Sequence, residues 1–210
     1  MRRGCTYIRL LKVLIREMKQ KHMNNLNMKS VLSIMAVAVT SLFLFGCTEF
    51  VNPLAPESQA KVDKNLLGHW LEIDSYGTET KGTADFSALE GKKMSVNQVS
   101  SSGTATTYTF IPNKVDDKRY MSIYSSSATG AGFYIYRYEI APNEKSGTVL
   151  TVWSLPTDTL TKAFESKALM STKTADGYDK ILSTSEQIQK WIVTLGDLDW
   201  LVAYRYKRAK

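Results

Sequence analysis

The stretch Phe133-Tyr134-Ile135-Tyr136-Arg137-Tyr138-Glu139-Ile140 excludes a helical reading of the middle of this chain. Its period of two places Tyr134, Tyr136, Tyr138 and Ile140 on one face of a strand. Val149, Thr151, Trp153 and Leu155 share a face in the same way. From residue 66 onward, short runs rich in β-branched and aromatic residues are broken by Gly, Asn and Asp. This pattern predicts an all-β domain with strands at 68–76, 92–100, 104–112, 118–126, 132–141, 148–155, 178–183 and 200–208. The turns are Asn113-Lys114-Val115-Asp116-Asp117, the Pro142–Gly147 segment and Asp176-Gly177.

One helix is well signalled. Ser183 and Glu186 have the spacing of a capping box. Ile188, Trp191, Ile192 and Leu195 follow at helical spacing, and Gly196 stands where a C-terminal cap belongs. A second helix is predicted from Asp158 to Ser166, with Leu160, Ala163 and Phe164 inward. Eight strands and one or two short helices in this length suit a small closed antiparallel barrel, which has no free edges and whose interior takes at most one small ligand.

The charge is unevenly placed. Of 27 Lys and Arg and 20 Asp and Glu, eight basic residues and one acid precede Cys47, which leaves 19 of each from Cys47 onward. The formal charge of +7 therefore belongs to the leader, and a neutral domain argues against nucleic-acid binding. Lys29 precedes VLSIMAVAVTSLFLF, residues 31–45, fifteen residues without a charge. A basic region followed by a short apolar run reads as an export signal, and the run is short for a spanning helix. Met28-Lys29 alone begins a signal of ordinary length, so residues 1–27 are expected to be either a misassigned start or a long basic region.

Leu44, Phe45 and Gly46 before Cys47 resemble the lipobox of bacterial lipoproteins. The resemblance implies cleavage of 1–46 and attachment of diacylglycerol and a palmitate-type chain to Cys47. Stable anchoring takes more than one acyl chain. Cys5 lies in the leader, so mature Cys47 has no disulfide partner, and acylation accounts for it. Residues 47–64, with Pro53 and Pro56, are expected to be the lipidated cysteine and a flexible tether, and 65–210 the domain. In the sorting rule of such lipoproteins an Asp after the cysteine retains them at the inner membrane. Thr48 at that position implies an outer-membrane protein, lipid-anchored in the bacterial envelope and facing the periplasm or the cell surface.

Gly68-His69-Trp70 resembles the Gly-x-Trp opening of the lipocalins, and residues 200–208 resemble their closing strand. The likeness is to bacterial lipocalin-like lipoproteins and spans 66–208 in outline. It implies a lipocalin-like barrel in which a late arginine covers Trp70. Arg208, which shares parity with Tyr204 and Tyr206, is expected there rather than Arg205. The middle Thr-Asp-Tyr motif of the family is absent.

No catalytic constellation stands out. His69 is the one histidine after the leader, and a single histidine with an acylated cysteine makes neither a triad nor a zinc site. No cofactor, metal or enzymatic activity is expected. Tyr120, Tyr124, Tyr134, Tyr136 and Tyr138 cluster within nineteen residues. With Trp153 they either line a cavity for an amphipathic ligand or simply fill the barrel, which the strand preference of aromatic residues favours. Two functions follow: an anchored module binding a small hydrophobic or amphipathic ligand, or a filled barrel that meets an unidentified envelope partner.

Overall fold

The computed structural model describes residues 48–125, 132–143, 147–174 and 179–209. The expected leader, Leu44, Phe45, Gly46 and Cys47 lie outside these residues, as does the turn at Asp176-Gly177. The described chain is all-β, with eleven strands. They are β1 (Thr48–Phe50), β2 (Gly68–Ile73), β3 (Glu79–Ala88), β4 (Met94–Val99), β5 (Ala105–Val115) and β6 (Lys118–Ser125), followed by β7 (Gly132–Asn143), β8 (Gly147–Ser154), β9 (Ser171–Lys173), β10 (Asp179–Ile181) and β11 (Leu201–Arg208). Two helices interrupt them, α1 (Thr157–Glu165) and α2 (Ser185–Ile192).

Strands β2 to β6 form an antiparallel meander, β7 pairs with both β6 and β8, and β11 pairs with β8 and β2. These pairings close a ring of eight strands. The number matches the expected eight, but the membership differs. Strand β3 was not anticipated, whereas 178–183 contains β10, which lies outside the ring. In β3 the buried positions are Gly82, Ala84 and Phe86, and two side chains that small leave no hydrophobic alternation to read. Strand β5 runs on through Asn113 to Val115, so the expected five-residue turn shrinks to Asp116-Asp117, with Asp116 at φ +50°.

The segment expected to be a free tether is packed. Strand β1 runs parallel to β10 and meets β7 at Phe50–Phe133. Phe50, Leu54, Ala55 and Ala60 are buried. The backbone N–H of Leu54 donates to Ser122 Oγ at 3.0 Å. Ser185 Oγ donates to the Pro53 carbonyl at 2.7 Å and Gln189 Nε2 to the Leu54 carbonyl at 2.8 Å. The prolines do not loosen this chain, because its apolar side chains have a core to enter.

The capping box of α2 sits one residue later than expected. Thr184 Oγ1 accepts from the Gln187 N–H, and the Gln187 side chain accepts from the Thr184 N–H at 2.9 Å. Ser183 is unavailable for that role, because its buried hydroxyl accepts from the Met170 N–H at 2.8 Å. Gly196 is not the C-terminal cap either. The helix ends on Val193, and Gly196 (φ −80°) instead precedes a 3-10 turn at Asp197–Asp199.

Two cores result. The inner one takes alternate residues from every ring strand: Trp70, Ala84 and Phe86, Met94 and Val96, Phe110, Met121, Tyr138, Leu150 and Val152, and Tyr206. Phe86 and Phe110 meet edge to face at 6.1 Å. The outer core lies between the other face of β6 and β7 and a cover made by β1, β10, α1 and α2, with Phe50, Leu54, Ile135, Ile181, Ile188 and Trp191 among its members.

Candidate functional site

The two ends of the ring differ. Each follows from the strand directions: β2 ends and β11 begins at one of them, whereas the hairpin turn at Asp116-Asp117 lies at the other.

The turn end is closed by the chain that leads into β2. Leu66 is buried, and Val62 and Leu67 pack on the inner core. Trp70 Nε1 donates to the Leu66 carbonyl at 2.7 Å. Arg208 lies over the Trp70 ring at 4.4 Å and donates to the carbonyls of Leu67, at 2.9 Å, and Asn65. Arg208 and Trp70 are direct cross-strand partners, which places both side chains on one face, whereas Arg205 is out of phase. Gly68 has φ +108°, a conformation that side-chain-bearing residues rarely adopt. Tyr138 donates to Asp63 Oδ2 at 2.9 Å, and Arg119 faces the same carboxylate at 3.6 Å.

The open end carries polar aromatic chemistry. Tyr108, Tyr136, Tyr204 and Tyr206 share the inward face with Gln98 and Glu72. Gln98 Nε2 donates to Tyr206 Oη at 2.8 Å, and the rings of Tyr204 and Tyr206 stack at 6.1 Å. Burial pushes the phenols of Tyr136 and Tyr206 well above the ordinary tyrosine value and raises that of Tyr204 too, and each is raised further by at least one neighbouring tyrosine. Tyr134 lies at the same end, where its hydroxyl donates to Glu49 at 3.2 Å.

A cleft of about 330 Å³ opens here between β2 and β11, lined by residues 72–75 and 202–205. Its origin is local. Pairing of β2 with β11 stops at Glu72–Tyr206. The β2–β3 pairing is irregular between Leu71 and Ile73, where the extra residues are on β3, and the β11–β8 pairing between Val202 and Tyr204, where Ala203 is the extra residue. A bulge bends its strand, and the one at Ala203 lies in β11 just beyond the end of its pairing with β2.

Of the residues expected to line a cavity, Tyr134, Tyr136 and Tyr138 share the inward face, with Tyr138 at the closed end. Trp153 does not join them. It lies on the outer face, where the Arg137 guanidinium stands 4.5 Å over its ring and 5.6 Å from that of Trp200, paired to Asp197 Oδ1 at 2.6 Å. Tyr120 belongs to the outer core, and Tyr124 packs on Phe133 and donates to Glu57. Tyr108, Tyr204, Tyr206, Gln98 and Glu72 were not singled out from sequence, although the alternation of Tyr204 and Tyr206 was visible.

His69 is exposed on the outside of the ring, its Nδ1 2.6 Å from Asp85 Oδ1 on the adjacent strand. This is a cross-strand pair on a convex surface. Among the described residues no group of three His, Cys, Asp or Glu is placed to hold a metal, and no helix is long and apolar enough to cross a membrane.

The buried phenols set an alkaline limit. Because Tyr136, Tyr138 and Tyr206 have raised values in the fold, the unfolded chain loses their protons first, near pH 10. Stability is therefore fully present below about pH 10 and falls as pH rises beyond it. Phenolate absorbance of these residues is expected to appear only with unfolding, and substitution of all three by Phe to flatten the fall. A fall of unchanged steepness in that variant would contradict the assignment. No protein-family model, no curated protein and no solved structure matches the chain.

Proposed function

We propose that this chain is a lipid-anchored bacterial envelope protein whose ring of strands is a lipocalin-like β-barrel, and that it binds a small amphipathic ligand at the tyrosine-lined end without enzymatic chemistry. The observation that carries this reading is the cleft of about 330 Å³ between β2 and β11, with Tyr204 in its lining. Small-ligand sites are concave, mostly apolar and supplied with a few placed polar groups. Here Ile73, Val202, Ala203 and the Tyr204 ring offer apolar walls, and Glu72, Asp74, Ser75 and Arg205 offer polar contacts. The Trp70–Arg208 closure at the other end supports the lipocalin likeness but takes no part in binding.

The anchor is proposed to be Cys47, with cleavage before it and outer-membrane placement by Thr48. Cys47→Ala is expected to abolish fatty-acid labelling and to leave an unprocessed precursor. Unchanged labelling and processing would remove the anchor from the account.

Binding is tested separately with the fluorescent amphiphile N-phenyl-1-naphthylamine. Ala203→Trp fills the cleft and is expected to weaken probe binding by roughly tenfold or more, about 1.4 kcal/mol or above, with little change in melting temperature. No binding in the unsubstituted protein, or equal binding in the variant, would contradict the site. The second reading is a filled barrel that meets an envelope partner. It is favoured by the density of the inner core, where Trp70, Met94, Phe110 and Leu150 are completely buried.

A further inference from the structure

The cleft between β2 and β11 carries opposite charges on its two walls. Glu72 and Asp74 stand on the β2 wall and Arg205 on the β11 wall. Among the described residues no ion pair joins either acid to the arginine, although all three line one space of about 330 Å³. Of the four arginines among the described residues, the other three are engaged. Arg119 faces Asp63, Arg137 is paired to Asp197, and Arg208 donates to the Leu67 carbonyl over the Trp70 ring. Arg205 is half-buried and has no such partner among the described residues. Its register opposite Thr151 puts it on the outward face of β11, one residue past the last β2–β11 pair, Glu72–Tyr206.

Glu72 is the inward charge. It too is half-buried and has no ion pair among the described residues. Its carboxylate is held in position, because Thr80 Oγ1 donates to Glu72 Oε2 at 2.6 Å. A Cβ on Gly82 would lie 2.1 Å from the same oxygen, so the glycine leaves the space that the carboxylate occupies. Tyr204, in the cleft lining, stacks on Tyr206, the cross-strand partner of Glu72. Asp74 is committed to the β2–β3 turn, where its Oδ1 accepts from the N–H groups of Tyr76 and Thr78 at 2.8 and 2.9 Å. The alternation of strand faces therefore keeps Glu72 and Arg205 apart, on opposite sides of one gap in the wall.

We propose that the ligand of this cleft is a zwitterion, with an ammonium group at Glu72 against the Tyr204 ring and a carboxylate, phosphate or sulfonate group at Arg205. A guanidinium binds such oxyanions through paired N–H bonds, and an ammonium is attracted to the face of a phenol ring. A ligand with one charge alone leaves the opposite wall unpaired. This inference rests on binding at the cleft.

The test uses the full chain, expressed in cells and purified in dodecyl maltoside, with bound probe counted by native mass spectrometry. The probes share an octyl chain: octyltrimethylammonium, octyl sulfate and the zwitterion N-octyl-N,N-dimethylammoniopropanesulfonate. Arg205→Gln is expected to weaken binding of the zwitterion and the sulfate roughly tenfold or more and to leave the cation unchanged. Glu72→Gln, which keeps an acceptor for Thr80, is expected to weaken the zwitterion and the cation by as much and to leave the sulfate unchanged. Arg205→Lys retains the charge and is expected to keep most of the zwitterion binding. Equal losses for all the head groups, or no loss in either Gln variant, with binding still abolished by Ala203→Trp, would overturn the zwitterion and leave the cleft standing. No binding of any probe to the unsubstituted protein, or equal binding in Ala203→Trp, would instead remove the site, and this inference with it. The chainless zwitterion trimethylammoniopropanesulfonate separates the sources. Binding as tight as that of the octyl form identifies a free solute, binding of the octyl form alone identifies a lipid headgroup, and both uphold the zwitterionic class.

Discussion

A chain that begins at Lys61 is expected to be largely unfolded under conditions in which one that begins at Thr48 is stable. The shorter chain loses Phe50 and Leu54, at 2% and 0% exposure, together with Ala55 and Ala60. Emptying a buried Leu or Phe site costs about 2–5 kcal/mol, so two such sites approach the ~5–15 kcal/mol that holds a domain together. Polar losses add to this. Ser122 is fully buried and loses the Leu54 N–H bonded to its hydroxyl. Strand β10 loses β1, its link to β7, so β9 and β10 come away from the sheet. A shift of about 2–4 °C per kcal/mol is typical of chains this size. Thermal melts followed by circular dichroism should therefore show a cooperative transition for the longer chain and none, or one tens of degrees lower, for the shorter. Melting within a few degrees of each other would mean that residues 48–60 do not belong to the folded unit.

Trp70→Ala is expected to cost about 3–5 kcal/mol, because the indole is completely buried among inner-core residues. Its Nε1 also leaves the Leu66 carbonyl without a donor. Arg208→Ala should cost less, roughly 1–3 kcal/mol, from the ring contact and the bonds to Leu67 and Asn65. A double-mutant cycle on the chain from Thr48 isolates the part that depends on the indole. Arg208 contacts two backbone carbonyls as well as the ring, so most of its cost is expected to survive in the Trp70→Ala background, with a coupling of about 0.5–2 kcal/mol. Simple additivity would remove the cation–π contact from the account.

What the sequence reveals depends on how many neighbours each residue answers to. Strands β4 to β8 and β11 announce themselves, because large side chains alternate along them. Strand β3 does not, because the inward Gly82 faces Glu72 so closely that a Cβ there would lie 2.1 Å from its carboxylate oxygen. The small residue is a response to a partner ten positions away. Strand β1 is three residues long and is followed by prolines, so its order comes wholly from the core that receives Phe50 and Leu54. The Trp70–Arg208 contact was implied by the family resemblance, and parity chose Arg208 over Arg205. The tyrosine end was not, because Tyr108, Tyr136, Tyr204 and Tyr206 come from three strands far apart in sequence. The cleft lies where the β2–β11 ladder stops, which no residue type marks. Trp153 alternates correctly but on the wall of the outer core, since alternation alone does not say which face is inside when both are covered.

The most direct measurement is native mass spectrometry of the intact protein released from its membrane in mild detergent. The predicted spectrum shows a chain that begins at Cys47 with diacylglycerol and a further acyl chain, plus a retained small amphipathic molecule that is lost in Ala203→Trp. A chain with the acyl mass but no retained molecule, in either protein, would contradict binding at the tyrosine-lined end.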